Sequence, residues 1–448
     1  RQMCIRDSMN TVSQLNIPTV NLPRIVVIGA GFGGINIVKQ LNFSQMQVVL
    51  INKTNYHTFQ PLLYQVATAG LEPDSIAHSV RSIFKKENQF HFRIAEVKKI
   101  NPDKKNIETD LGELSYDYLV IATGSQTNFY GNANIEKYAM PMKTVPEAID
   151  MRSLIIQNLE AAILTNDLEE RNSLMNFVIV GGGPTGVELA GAFAELKSHI
   201  LPTDYPDLDI RKMNVHLIQA DPRLLVGMGE KSSQKAKEYL EKMGVTIWFN
   251  TFVKDYDGSN VETNTHHFET RTLIWTAGVK GSTIEGLPQE SIQFGRYIVN
   301  EFNEVKGCEN IFAIGDIACM ISDKYPKGHP MVAQPAIQQG KLLGKNLKRK
   351  INNKSMTPFS YFDKGSMATV GRNKAVVEVA GMRFSGWFAW ILWMVVHLAF
   401  LVGFRNKMVA LANWIVQYFQ YNKGVRLIIR PYKSAYEKEQ EKKSQPNP

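Results

Sequence analysis

Two stretches of this chain share one pattern of apolar and polar positions. In each, a polar residue leads into an unbroken apolar run, then closely spaced glycines, then apolar positions at helical spacing. The first is RIVVIGAGFGG, from Arg24, and the second is NFVIVGGGPTGVELAGAFAEL, from Asn176. An unbroken apolar run suits a strand covered on both faces, as in a parallel sheet. The first helix is expected to run to about Leu41, and QVVLIN, ending at Asn52, reads as the next strand. After the second turn, TGVELAGAFAELKS reads as a helix and HILPTDYPDLDIRKM as a helix extension plus loop. NVHLIQA then reads as a strand that places Gln219 near its end. Two further apolar runs stop at glycine: YDYLVIATGS, at Ala122, Thr123 and Gly124, and NIFAIGDIA, at Gly315 and Asp316. This alternation predicts an α/β protein with two Rossmann-like dinucleotide-binding domains.

The pattern changes near the end of the chain. GWFAWILWMVVHLAFLVGF, Gly386 to Phe404, carries no formal charge and one histidine, His397. Its length reaches the threshold for a membrane-crossing helix, about 18 apolar residues. Arg383 stands before it, and Arg405 and Lys407 after it. Met408, Ala412, Ile415 and Phe419 then fall on one helix face. Trp414, Tyr418 and Tyr421 add interface-seeking aromatics, and Lys423, Arg426, Arg430 and Lys433 add positive charge suited to anionic lipid. A buried core helix and a single span are the rivals to a surface anchor. A span places the short basic tail across the membrane, against the positive-inside tendency.

A chain of 448 residues suggests two or three domains, and 44% hydrophobic residues suffice for a sizeable core. The formal net charge of +9 admits nucleic acid or an anionic membrane as partner. No nucleic-acid motif accompanies it, so the membrane is favoured. Cys4, Cys308 and Cys319 form no C-x-x-C pair and belong to no metal-ligand cluster, which points to a reducing compartment and no metal. No secretory leader pattern opens the chain. Residues 1–20, beginning RQMCIRDS, are expected to lie outside the fold as a disordered or artefactual leader.

The glycines carry the chemistry. Gly29, Gly31 and Gly34, and again Gly181, Gly183 and Gly186, fit G-x-G-x-x-G. The first glycine permits the tight turn, the second lets a pyrophosphate approach the backbone, and the third lets helix pack on strand. One such motif is weak evidence; two, each between a strand and a helix, are not coincidence. A protein holding two dinucleotides most simply passes a hydride between them. Where an acidic residue usually reads a ribose hydroxyl, this chain has Asn52 and Gln219, whose amide oxygens can still accept that bond. Asp316 suits a sugar-like chain or a helix cap. Glu188, in the first turn of its helix, is favoured by the helix dipole. Gln334 and Gln338, in AQPAIQQG, stand four apart on one helix face, with Pro335 near the helix start.

The four segments, in this order, resemble the two-dinucleotide flavoproteins of glutathione-reductase-like fold. That resemblance implies FAD on the first turn, NAD(P)H on the second, and a return of the chain that brings Asp316 near the flavin ribityl. LIWTAGV, with Ala277 and Gly278, is similar to the matching strand end of the NAD(P)H domain. The redox cysteine pair of disulfide reductases is missing after the first turn. NYHTFQPLLYQVATAG, GGGPTGVELAGAFAEL and AQPAIQQG closely resemble type II NADH:quinone oxidoreductases, and the likeness runs from about Pro23 to Ile429.

That family implies transfer of electrons from NADH through FAD to a membrane quinone without proton pumping. It implies Gln60 and Pro61 near the isoalloxazine, Gln334 and Gln338 at the quinone, and Glu188 near the nicotinamide on a proton route. It implies monotopic attachment through the C-terminal helices, on the cytoplasmic face of the inner membrane, and is compatible with a homodimer. Because Gln219 is neutral, NADPH is admitted beside NADH, with Arg223 the near arginine. A sulfide:quinone reductase using Cys308 and Cys319, here read as structural, and a flavoprotein like the apoptosis-inducing factors remain the alternatives. The expected division is an FAD domain over 21–145 and 291–380, an NAD(P)H domain over 146–290, and an amphipathic anchor over 381–448.

Overall fold

The computed structural model describes residues 15–85, 87–420 and 426–444. The chain forms two compact units. One comprises 1–57, 79–126 and 279–363, and the other 58–78, 127–278 and 364–448. Set beside the expected bounds, 58–78, 127–145 and 364–380 fall in the second unit together with 381–448, and 279–290 fall in the first. Residues 58–78 join the second unit because the helix Leu63–Ala67 packs on the helix Val145–Leu164. Residues 364–380 join it because the strand Ser366–Thr369 packs on the helix Pro184–Glu195. Of the expected leader 1–20, residues 15 and 16 make contacts within the first unit. Leu15 is fully buried in the core, and Arg93 donates to the carbonyls of Leu15 and Asn16. Residues 1–14 lie outside the described residues.

The first unit is built on a five-stranded parallel sheet. Its order is Ile311–Ala313, Tyr118–Ile121, Arg24–Ile28, Gln47–Asn52, Phe90–Ile94. Ile25, Val26 and Val27 have no exposed surface, as a strand covered on both faces requires. The helix Phe32–Val38 crosses the helix Ala333–Ile351 at close range. A Cβ on Gly340 would stand 2.6 Å from the Gly33 carbonyl oxygen, and glycine there permits the approach.

The second unit repeats this plan. Its parallel sheet runs Met140–Pro141, Thr272–Trp275, Asn176–Val180, Asn214–Ile218, Thr246–Trp248. In both sheets the strand that enters the glycine turn is central. Each unit also carries a three-stranded antiparallel meander, at 97–115 in the first and 253–269 in the second.

The apolar run 386–404 does not form one long helix. It gives the helix Trp387–Phe400, 14 residues, and the helix Phe404–Gln420 follows after a turn. Gly403, at φ +88°, makes that turn in a conformation other residues resist. Among the described residues no helix is long and apolar enough to cross a membrane.

Candidate active site

The two glycine turns superimpose in their constraints. Gly29 and Gly181 adopt φ +105° and +109°. A Cβ on Gly29 would lie 2.3 Å from the Ala122 carbonyl oxygen, and one on Gly181 would lie 2.8 Å from that of Thr276. A Cβ on Gly34 or Gly186 would lie 1.8 Å from the carbonyl oxygen of Gly29 or Gly181 respectively. These four glycines are demanded by the protein itself. Gly31 and Gly183 are different: a Cβ on either meets no protein atom within 4 Å. Both are the residue before a helix, and neither helix has a side-chain cap. Uncapped N–H groups beside open space are what an anionic pyrophosphate fits.

The two strand-end amides also act alike. Asn52 Oδ1 accepts from Ala30 N at 2.9 Å, and Gln219 Oε1 accepts from Gly182 N at 2.6 Å. Each therefore pins the residue between the first two glycines of its own turn. The Asn52 amide group donates to the Thr54 carbonyl at 2.8 Å. That of Gln219 donates to Asp221 Oδ2 at 2.7 Å, so a carboxylate stands beside the neutral position expected to read the ribose. Arg223 donates to the carbonyls of Val226 and Met228, both at 2.8 Å. Sequence reasoning passed over Asp221, two residues beyond the expected position.

The remaining expected residues of the first unit gather near its turn. Ala122 abuts Gly29, while Thr123 Oγ1 donates to Ser282 O at 2.7 Å and Gly124 adopts φ +71°. Asp316 accepts from Ser125 Oγ at 2.5 Å, beside Gly315 at φ +76°. Gln339, which the sequence did not single out, holds this second turn: its buried Oε1 accepts from Gly315 N at 2.7 Å. Gln334 and Gln338 sit half-buried in the helix Ala333–Ile351. Both ends of the Gln338 amide are committed to Phe362, with Nε2 donating to its carbonyl at 2.8 Å and Oε1 accepting from its N–H at 3.1 Å. In the second unit, Gln60 is exposed and Pro61 half-buried in a 3-10 turn. Tyr130 OH donates to Ala277 O at 2.8 Å, and Gly278 adopts φ +113°.

Glu188 is buried, and burial pushes its pKa up to about 8. The Thr369 backbone N–H and the Trp393 indole pull the other way, although the Trp393 N–H has no partner in good hydrogen-bond geometry. Glu188 lines a cavity of about 100 Å³ with Tyr64, Thr369, Trp393, Trp414 and His199. Tyr64 OH lies 3.1 Å from Thr369 Oγ1, and burial, then the nearby Glu188, hold its proton on. Gln65 Nε2 donates to Tyr64 OH at 3.0 Å, and Trp414 Nε1 donates to Gln65 Oε1 at 2.8 Å. His397 stacks on Trp393 with centroids 4.0 Å apart, and burial pushes its pKa down to about 4. These partners come from residues 64 to 414, a convergence no local pattern signals.

Cys308 and Cys319 are free thiols. Burial raises the pKa of both, which disfavours the reactive thiolate.

Paired sheets and paired turns define an oxidoreductase of the two-dinucleotide class. The Pyridine nucleotide-disulphide oxidoreductase family model matches residues 23–340, and the NDH2 C-terminal domain matches 364–420. The Mycobacterium tuberculosis protein Type II NADH:quinone oxidoreductase Ndh is 35% identical over 427 residues, 91% of each chain. Its Staphylococcus aureus counterpart is 30% identical over 378 residues, 81% of this chain and 91% of the relative. The chain belongs to the type II NADH:quinone oxidoreductase family. Its fold matches NDH2 from Plasmodium falciparum, solved in complex with NADH, at TM-score 0.83 and 23% identity, over 91% of this chain and all of the other. The sulfide:quinone oxidoreductase of Aquifex aeolicus is a more distant fold match, at TM-score 0.69 and 20% identity, covering 89% of this chain and 95% of that one.

Proposed function

We propose that the protein oxidises NADH and reduces a membrane quinone, using FAD. The observation that carries this is the duplicated cradle: two turns with the same strain, the same packing and the same open side at Gly31 and Gly183. Bound FAD supplies the two-electron relay between the two substrates. Gly31 and the N–H groups after it hold the FAD pyrophosphate, and Asp316 holds its sugar-like chain. Gly183 receives the NADH pyrophosphate, with Ala277 and Gly278 at the neighbouring strand end. The Asp221 carboxylate on Gln219 favours NADH over NADPH, because it repels a 2′-phosphate.

Proton balance gives Glu188 its role. NADH yields one hydride, whereas a quinol carries two protons, so each turnover takes up one further proton. With a pKa near 8, Glu188 holds a proton at neutral pH and can release it. Gln334 and Gln338 belong to the quinone side. Gln338 acts by fixing the 362 segment.

The C-terminal helices attach the protein to the membrane surface, on the cytoplasmic face of the inner membrane. Trp387, Phe388, Val395, Met408, Ile415 and Val416 are all exposed. An outward apolar surface of this kind needs lipid or protein to cover it.

The test is to purify the protein, identify the bound flavin, and follow NADH oxidation with and without a short-chain quinone. The reading expects FAD and a quinone-dependent rate. Steady quinone turnover also separates it from a redox-sensing flavoprotein. Turnover that needs sulfide and fails in Cys308→Ser or Cys319→Ser would overturn it.

A further inference from the structure

The helix Val145–Leu164 begins on a capping box. Thr144 N–H donates to Glu147 at 2.9 Å, and Thr144 Oγ1 accepts in return. Two turns on, the helix buries a guanidinium. The Arg152 side chain is 1% exposed, and Nε, Nη1 and Nη2 all lack a hydrogen-bond partner. Its nearest carboxylate oxygen, Glu72 Oε2, stands 3.8 Å from Nη1, beyond hydrogen-bond reach, on a side chain 41% exposed. Arginine stays charged in proteins, so a positive charge is fixed here, with one long ion pair to Glu72 and no hydrogen bond on any of its three nitrogens.

Arg152 lines a cavity of about 410 Å³. Most of the wall is apolar, from Ile155, Leu159, Phe193, Leu201 and Met213. The other charged groups on the wall are matched. Glu160 accepts from Tyr205 OH at 2.9 Å, and Asp204 pairs with Arg426. The volume lies in the usual small-ligand range of about 300–1,000 Å³.

We propose that this cavity binds a single-chain anionic amphiphile, with its carboxylate or phosphate head on Arg152 and its aliphatic chain along the apolar wall. A planar guanidinium with free donors recognises either head in two-pronged fashion. The apolar wall explains why a bare anion is a poor occupant and a hydrocarbon tail a good one. A protein that works on a lipid surface meets such molecules continuously. The proposal does not rest on the NADH:quinone reading, since neither glycine turn lines this cavity.

The full-length protein is titrated by native mass spectrometry with dodecanoate, dodecyl phosphate, dodecanol and inorganic phosphate, all below micelle formation. One dodecanoate or dodecyl phosphate should bind per chain. The head bound tighter identifies the source as a free fatty acid or a lysophospholipid. Dodecanol and inorganic phosphate should each bind about tenfold more weakly or worse. Arg152→Met should weaken the anionic amphiphile by about tenfold or more, and Arg152→Lys should retain most of the binding. If Arg152→Met does not fold, Leu159→Trp fills the cavity while keeping the charge, and the same loss is expected. Unchanged affinity in the variant that folds, or dodecanol matching dodecanoate, would overturn the proposal. Inorganic phosphate matching dodecyl phosphate would reduce the site to a plain anion pocket and overturn it equally.

Discussion

Single residues separate what the fold demands from what the ligands demand. Gly31 and Gly34 lie in one motif, yet only Gly34 has a neighbour that forbids a side chain. Gly31→Val should therefore fold with near-parental circular dichroism and lose FAD, whereas Gly34→Val should fail to fold. A yellow, fully loaded Gly31→Val protein would contradict the cradle. The same reasoning reaches cofactor choice. Asp221→Asn removes the carboxylate on Gln219 and should raise kcat/KM for NADPH relative to NADH by up to about tenfold. An unchanged ratio would remove Asp221 from the selectivity account.

Glu188 makes a prediction in pH. Its folded-state pKa is raised to about 8 from 4.5, so the folded state holds a proton that the unfolded state releases. The group costs nothing below pH 4.5, its cost grows as pH rises toward 8, and it is complete above that. The full cost is on the order of 5 kcal/mol. Glu188→Gln should match the parent in thermal stability near pH 4.5, exceed it increasingly up to about pH 8, and keep a constant advantage above that. A gap that stays constant from pH 4.5 to about pH 8 would mean that Glu188 does not titrate in this window.

At the scale of elements, legibility followed the range of the interactions. The strands at Arg24 and Asn176, their glycine turns and their helices are written locally, in apolar runs and in backbone conformations few residues adopt. So is the second glutamine of AQPAIQQG, once its helix is drawn. What that glutamine touches was not legible, because Phe362 lies on a separate segment. The surroundings of Glu188 were hidden for the same reason: Tyr64, Thr369 and Trp393 converge from three parts of the chain. The 386–404 run reaches a spanning length on hydropathy alone, but it is broken before Gly403, which sits in the left-handed region, as the surface-anchor expectation allows. Gln338 carries the matching prediction. Gln338→Ala frees the Phe362 peptide on both sides and should slow electron transfer to quinone by about tenfold in stopped flow, with electron uptake from NADH near parental. Slowed NADH oxidation with a normal quinone step would move this residue to the other substrate.

At the scale of the molecule, the basic residues of the C-terminal region have less to offer lipid than their number suggests. Arg383 pairs with Glu378 at 3.4 Å, Arg405 with Asp74 at 3.2 Å, Arg430 with Asp150 at 2.7 Å and Lys433 with Glu441 at 2.6 Å. Arg426 pairs with Asp204, and Tyr421 and Lys423 lie outside the described residues. The two helices turn different faces inward and outward. Ala389 and Trp393 are buried on the first, and Asn406, Ala410 and Trp414 on the second. Val395 is 59% exposed on the first and Ile415 50% on the second. Attachment should then be mainly apolar, at about 1.5–3 kcal/mol for each large side chain fully buried. Salt screens charges and leaves apolar burial intact, so a high-salt wash should release little protein and mild detergent should release most of it. Val395→Asp with Ile415→Asp should move the protein into the soluble fraction while leaving NADH-dependent reduction of a water-soluble acceptor unchanged. The helix Trp387–Phe400 spans roughly 21 Å against a hydrocarbon core of about 30 Å, so the attachment should not cross the bilayer. Cysteine labelling of sealed vesicles should therefore find Lys433→Cys and a site in the first unit, such as Lys104→Cys, on one side. Protection of position 433 with position 104 labelled would show a crossing and overturn the surface anchor.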